Sequence, residues 1–505
     1  MFIYILLAIP SLFLLWVLIT YVEHLINSRK YPKGPFPLPL IGNLNLLSKD
    51  LHLNFLEIGK TYGDVFSISI GMKRYVIVNS YENVKEGLIT KGHEMAGRSP
   101  RLSLLVATKG RRTFGAMDYS KSWAFIRKLA YKSLHLYGSG MTNIEDIVTD
   151  DVDKLCSIIS GELDKPVPIQ PYLGNTLINT ICRRCFSTNY EIDDPEFRHI
   201  LEFTANIGKG ALGLDMWLAM LPWLVYLPHF TSTAQFKMLV TAVNQRSVMT
   251  HRMFEEHKTT LNPDKLRDVT DQLLFLSSNK EAWKDAGFEE VSQDHLENTV
   301  NILFFAGIET SLTTLRWFFL YCLHHPEYQK KMHDEIVDTF GLRHRLTYSD
   351  LDSLPFTQAM LFETNRKSSI ARINVAHKAM VDTSINGINI PKGAPILFNL
   401  YSLHYDENHW VKPHEFNPHR WLNADGNLKK ERATHYLPFS AGTRVCLGEK
   451  MAKVQMFLIT TKLIRTFEIC PYLEEKLPGL DERGPGGPYS PATDYKVIFK
   501  RRIQS

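Results

Sequence analysis

The chain has 505 residues, is 44% hydrophobic and 22% charged, and carries a formal net charge of +5. That composition belongs to a folded globular protein and excludes collagen-like, low-complexity and disordered classes. The positive balance is too small to point to nucleic acid and suits anionic lipid or an acidic protein instead. Six cysteines in this length suggest no disulfide framework and fit a reducing compartment.

Residues 1–22 hold no charged side chain. A bilayer core takes about 20 apolar residues, so this run predicts a single N-terminal transmembrane helix. A cleaved signal peptide would start on basic residues, have a shorter apolar core and end on small side chains. Arg29, Lys30 and Lys33 follow the run, which places the remainder of the chain in the cytosol. Residues 23–45, with "YPKGPFPLPL" at their centre, form a basic, proline-rich strap that favours stiff, extended backbone. The interior has no Gly/Ser-rich linker, so residues 46–505 are expected to form one large body.

Strand patterns come first in that body, at residues 65–70 and 75–79, joined by the turn-like Gly71-Met-Lys-Arg74. Cys182-Arg-Arg-Cys185 is a CxxC without a second pair in an apolar helical run, and reads as core cysteines. Residues 221–228, "LPWLVYLP", are too short to span a bilayer. They either dip into a membrane interface, with Trp223 and Tyr226 at headgroup level, or form a buried loop. The longest helical pattern covers residues 294–324 and is closed by His325-Pro326. It is so apolar that Glu309 and Thr310 in its middle are costly unless used. Gly307 weakens the same helix and makes room against its face. Glu363 and Arg366, three apart, can pair on one helical face. Strand signals return near residues 388–391 and 495–500. The body therefore reads as mainly α with small β-sheets from both ends.

Near the C-terminus, "HYLPFSAGTRVCLGEK" sets Phe439, Gly442, Arg444, Cys446 and Gly448 in the pattern F-x-x-G-x-R-x-C-x-G. A thiolate needs positive surroundings or amide donors. Glycines let backbone approach a flat ligand and free N–H groups to face the sulfur. A helix starting after the cysteine adds its N-terminal dipole. Each feature favours a thiolate over a thiol.

This segment resembles the haem-binding loop of the cytochromes P450. The resemblance implies a helix-rich triangular prism with a long central helix over haem b. Cys446 is then the axial iron ligand, whose thiolate donates electron density to the metal. "AGIETS", residues 306–311, resembles the family's oxygen-activation motif. It implies a dioxygen groove at Gly307, proton delivery by Thr310, and support of that relay by Glu309. Glu363 and Arg366 match E-x-x-R. With Arg420 of "FNPHR" they imply a triad bracing the haem's proximal side, although His419 and Trp421 depart from the family pattern. Trp123 and Arg127 match W-x-x-x-R, which bonds a haem propionate; by position Arg98, His377 and Arg444 join them. That assigns Arg444 to a propionate more than to the thiolate. Tracts such as "NVAHKAMVDTSINGINIPKG" look most like animal microsomal members of the steroid 17α-hydroxylase and 21-hydroxylase group. Ser368-Ser-Ile-Ala-Arg372 departs from the Leu/Pro-rich turn usual there.

The activity so implied is monooxygenation: hydroxylation of a lipophilic small molecule, whether steroid, other lipid or xenobiotic. It uses O2 and electrons from NADPH, delivered by NADPH-cytochrome P450 reductase with cytochrome b5 as a further partner. The chain would sit in the endoplasmic reticulum membrane with its catalytic domain in the cytosol. No Rossmann G-x-G-x-x-G is placed on a strand–helix turn, consistent with electrons from a partner. Lys121, Lys128, Lys132, Lys450 and Lys453 could present a basic face to it. Two alternatives remain: a haem-thiolate isomerase or dehydratase working without reductase, and a haem sensor without turnover. Glu309 and Thr310 weigh against both.

Overall fold

The computed structural model describes the chain apart from residues 1, 49, 100–104, 106–109, 111–113, 136–142, 221–223, 225, 289–291, 430–433, 484–490 and 503–505. Helix α1, Phe2–Ser28, continues past the expected end at residue 22. Among the described residues, no helix is long and apolar enough to cross a membrane. The last turns of α1 dock on the body: Tyr21 Oη donates to Pro37 O at 2.7 Å, and His24 Nε2 lies 2.9 Å from Ser69 Oγ.

The strands are β1 (Val65–Ile70), β2 (Lys73–Val78), β3 (Gly97–Arg98), β4 (Pro166–Pro168), β5 (His377–Lys378), β6 (Thr383–Ile385), β7 (Ile388–Ile390), β8 (Pro395–Phe398), β9 (Phe467–Pro471) and β10 (Lys496–Arg501). β1 and β2 form the expected hairpin, with a tighter turn than the sequence suggests because Gly71 adopts φ +60°. The proline strap is no free spacer. Ser67 N–H donates to Lys33 O at 3.1 Å, and the Asn43 side chain bridges Phe36 O (3.0 Å) and Ser69 N–H (2.8 Å). The strap thus runs along β1 as part of the body. The larger sheet has the order β1-β2-β8-β5-β3, and its β3–β5 register sets Arg98 opposite His377. β4, β10 and β9 form a second sheet from distant chain segments.

The main helices are α2 (Lys121–His135), α3 (Ile144–Ser160), α4 (Ile169–Phe186), α5 (Pro195–Met220), α6 (Ala234–Thr260), α7 (Gln293–His324), α8 (Pro326–Phe340), α9 (Pro355–Ser368), α10 (Leu400–His404) and α11 (Glu449–Thr466). α7 matches the expected long helix. Pro326 lacks the N–H that would continue it and instead opens α8. α7 packs against α4, α6, α9 and α11, and from Ser311 to Leu323 it is buried on every side. Ala306, about one and a half turns before that stretch, is exposed. One turn on, Thr310 lines a cavity. Cys182 and Cys185 lie on α4 in the core as expected, and burial raises both thiols, Cys185 to about 12. Four of residues 221–228, Trp223 among them, lie outside the described residues; Tyr226 is exposed.

Candidate active site

The cysteine loop is built by backbone constraints. Ser440 and Gly442 take φ +62° and +70°, and a Cβ on Gly442 would collide with the Leu88 carbonyl oxygen. Cys446 N–H closes the loop on Phe439 O at 3.0 Å. Arg444 is buried whereas Cys446 is exposed. Gly448 is the N-cap of α11, and a Cβ there would meet nothing within 4 Å. The amides of Gly448 and Glu449 face the sulfur, as the sequence suggested. Their effect is smaller than expected: crowding by protein raises the thiol, while those amides and Arg127 oppose it. A thiolate here needs a cation beside it as well as the amides.

Arg98, Arg127 and Arg444 converge on this loop. Arg444 Nε donates to Ala96 O (2.9 Å) and its Nη2 to Met117 O (2.7 Å), Arg98 Nη1 to Val375 O (2.7 Å), and Arg127 to Val445 O. All these partners are carbonyls. Asp118, the acid nearby, accepts from the Arg98 amide (2.8 Å) and from Lys378 Nζ (2.7 Å). Burial and then the charges of Arg444 and Arg127 bring Arg98 down to about 9; burial and Arg127 bring Arg444 to about 10. His377 donates from Nδ1 to Met95 O at 2.8 Å and is held well below its ordinary range by burial and by Arg98. The Trp123 indole does not point a donor at this cluster. Its N–H goes to Phe114 O at 2.9 Å, and its ring lies under Arg444 (4.1 Å) and Arg127 (5.4 Å).

Opposite stands the α7 turn. Thr310 Oγ1 donates back to Ala306 O at 2.7 Å. Its oxygen lone pairs therefore face outward while its proton is held. Glu309 is crowded by protein, and burial raises its carboxyl against the weaker pull of Arg316 and Lys209. A Cβ on Gly307 would meet Ile181 Cδ1 and Met451 Cε at ordinary van der Waals distance, 3.4 Å each. Ala306 is the exposed residue of that turn.

Below the loop, Glu363 is fully buried and accepts from Arg366 Nε (2.9 Å) and Nη2 (2.8 Å), Arg420 Nε (3.0 Å) and Asn417 N–H (2.9 Å). Trp421, where the sequence departs from the family, supplies a further donor: its Nε1–H reaches Glu363 Oε2 at 3.0 Å. Sequence reasoning missed that bond, and it missed Arg246. This α6 side chain is buried, its Nε has no hydrogen bond, and burial alone lowers it to about 10. One turn on, Thr250 donates to Asn301 of α7 at 2.8 Å, so Arg246 lies near the α6–α7 seam. A lone Arg in a helical run carries no signal of burial.

An accessible cysteine beside three arginines that, among the described residues, form no ion pair with a carboxylate suits a prosthetic group that carries a metal cation and carboxylates. The family model described as Cytochrome P450 matches residues 32–499. The steroid 17-alpha-hydroxylase/17,20 lyase of Squalus acanthias is 32% identical over 493 residues, covering 97% of this chain and 96% of that protein. The Gallus gallus protein of the same name is 34% identical over 456 residues, covering 89% of this chain and 88% of its own. A solved structure titled zebra fish cytochrome P450 with progesterone superposes at a TM-score of 0.78 and 29% identity, covering 90% of this chain and 100% of that one. The chain belongs to the cytochrome P450 family, a family of haem-dependent monooxygenases.

Proposed function

We propose that this chain hydroxylates a steroid, drawing on O2 and on NADPH through a membrane-bound reductase. The relatives' names and the progesterone in the similar structure support the substrate class. The observation that carries the oxygenase reading is that Thr310 of the α7 turn and Phe439 of the cysteine loop line one cavity, with Cys446 exposed on that loop. Cys446 would hold the haem iron, and Arg98, Arg127, Arg444 and His377 would meet its carboxylates. Bound haem supplies dioxygen binding, its reductive cleavage and the transfer of one oxygen atom to carbon.

The protein's own share is positional and protonic. The Gly448 and Glu449 amides hold charge on the Cys446 sulfur. Burial raises the Glu309 carboxyl, which favours its taking up a proton for the relay. Thr310 Oγ1 accepts a proton or water on its open side; it donates only by leaving the Ala306 carbonyl. Arg246, buried with an unsatisfied Nε, suits a substrate bearing an acceptor oxygen. Lys121, Lys128 and Lys132 are exposed on α2 and fit an acidic electron donor. Lys453 fits it less well than expected, because it is paired with Glu449 at 2.6 Å.

Anchoring by α1 in the endoplasmic reticulum membrane, with residues 46–505 in the cytosol, completes the proposal. The test is NADPH oxidation in vesicles holding the full chain and reductase. Progesterone should stimulate it and yield hydroxylated product. Progesterone-independent oxidation with no steroid product would overturn the substrate assignment.

A further inference from the structure

His404 ends α10 and is 1% exposed. Its ring is held at both nitrogens. Nε2 faces the backbone N–H of Leu437 at 3.3 Å, and Nδ1 faces Ser369 Oγ at 3.0 Å. An amide can only donate, so Nε2 must accept and the ring proton sits on Nδ1, donating to Ser369. Burial and Arg366 hold the imidazole down to about 3, which agrees with this neutral tautomer. Ser369 and the two residues after Leu437, Pro438 and Phe439, line one cavity. Leu437 opens the stretch that carries Phe439, whose carbonyl accepts the Cys446 amide. Ser369 caps α9 at φ +38°, and Ile370 and Ala371 follow it. A cavity of about 40 Å³ is lined by Thr310 on one side, by Ser369, Ile370 and Ala371 on another, and by Phe439, with His404 between. The His404 carbonyl meanwhile accepts from Arg366 Nη1 at 2.8 Å, which fixes the backbone that carries the ring.

We propose that His404 is a positioning residue that ties the cysteine loop to the turn 369–371, setting the spacing between Cys446 and the residues that face Thr310. The bonds are short-range, but they link the metal-side loop to the opposite wall through a single ring. Ser369 makes the link possible: a Leu or Pro there would leave Nδ1–H unsatisfied. The departure at residues 368–372 is thus matched to His404.

Three variants of the haem-loaded full chain test this. His404→Gln offers an acceptor where Nε2 stood, His404→Asn offers a donor where Nδ1 stood, and Ser369→Ala removes the acceptor without touching the ring. Amide hydrogen exchange of residues 437–446 should rise about tenfold in His404→Asn and stay near the parent rate in His404→Gln. Residues 369–372 should show the reverse, and Ser369→Ala should copy His404→Gln. The reduced CO complex should lose its strongly red-shifted Soret band faster in His404→Asn than in His404→Gln. Equal protection changes across the α4–α7 core in all three variants would reduce His404 to general packing and overturn the proposal. Unchanged exchange in both segments in all three would overturn it too.

Discussion

Replacing Trp421 with Phe tests whether a residue that breaks the family pattern supports the Glu363 network. Glu363 has no contact with solvent and takes hydrogen bonds from Arg366, Arg420, Asn417 and Trp421. Phe keeps an aromatic ring among Phe362 (5.3 Å), Trp410 (5.2 Å) and Tyr436 (4.9 Å), so the main loss is one N–H donor to a buried carboxylate. Hydrogen bonds to charged groups contribute roughly 1.5–3 kcal/mol. Four donors remain on the carboxylate, so the cost should fall near the lower end, about 2 kcal/mol. Glu363→Gln is the reference, because it leaves Arg366 and Arg420 facing each other without the counter-charge and should cost about 3–5 kcal/mol. Equilibrium urea unfolding of both variants, followed by far-UV circular dichroism, measures the difference. Parent-like stability in Trp421→Phe, within about 0.5 kcal/mol, would show that the indole bond is dispensable. A loss equal to that of Glu363→Gln would show that the ring's packing, and not its donor, is what counts.

Thr310→Ala should leave stability within about 0.5 kcal/mol, because its hydroxyl only bonds back to a helix carbonyl. Steroid product per NADPH oxidised should fall about 100-fold if the hydroxyl moves protons. Arg246→Leu should weaken progesterone binding about tenfold, read from the substrate-induced spin-state spectrum, while urea stability holds or rises, since an unpaired buried cation is lost. His257 bonds Asp268 at 2.8 Å and the Met253 carbonyl at 2.7 Å. Burial lowers its pKa, but Asp268, Met253 and Asp271 outweigh that and raise it overall. Its contribution is then fully present below the ordinary histidine range and is lost as pH rises through the raised value. The parent's urea midpoint should fall over that interval, and His257→Gln should flatten the slope.

What the sequence made legible was local. α7, the β1–β2 hairpin and the CxxC in α4 follow from periodicity, proline punctuation and composition, because each is decided by neighbours in the chain. The cysteine loop was legible because its glycine and cysteine are tied to backbone geometry, with Gly442 forced by the approach of Leu88. Several partners were not legible from pattern alone: the strap's bonds to β1, the Trp123 N–H on Phe114, the contacts of Gly307 with Ile181 and Met451, and the Lys453–Glu449 pair. Arg246 and Trp421 could not be found by pattern. Burial and a distant acceptor define them, and one sequence shows neither.

The cations and the cysteine make one further argument together. Arg98 and Arg444 are buried and Arg127 half-buried; among the described residues all three donate to backbone carbonyls, Arg444 and Arg127 lower Arg98, and Arg127 lowers Arg444 against the pull of Asp118. Cys446 is pushed toward its neutral thiol by the same burial. Each half alone is an electrostatic cost. On the proposed function, a haem held by Cys446, with its carboxylates met by these cations, would offset both. Haem loading should therefore slow amide hydrogen exchange most around residues 96–98 and 439–449. On the proposed function, these guanidiniums and the thiol are kept together because the bound cofactor balances their charges.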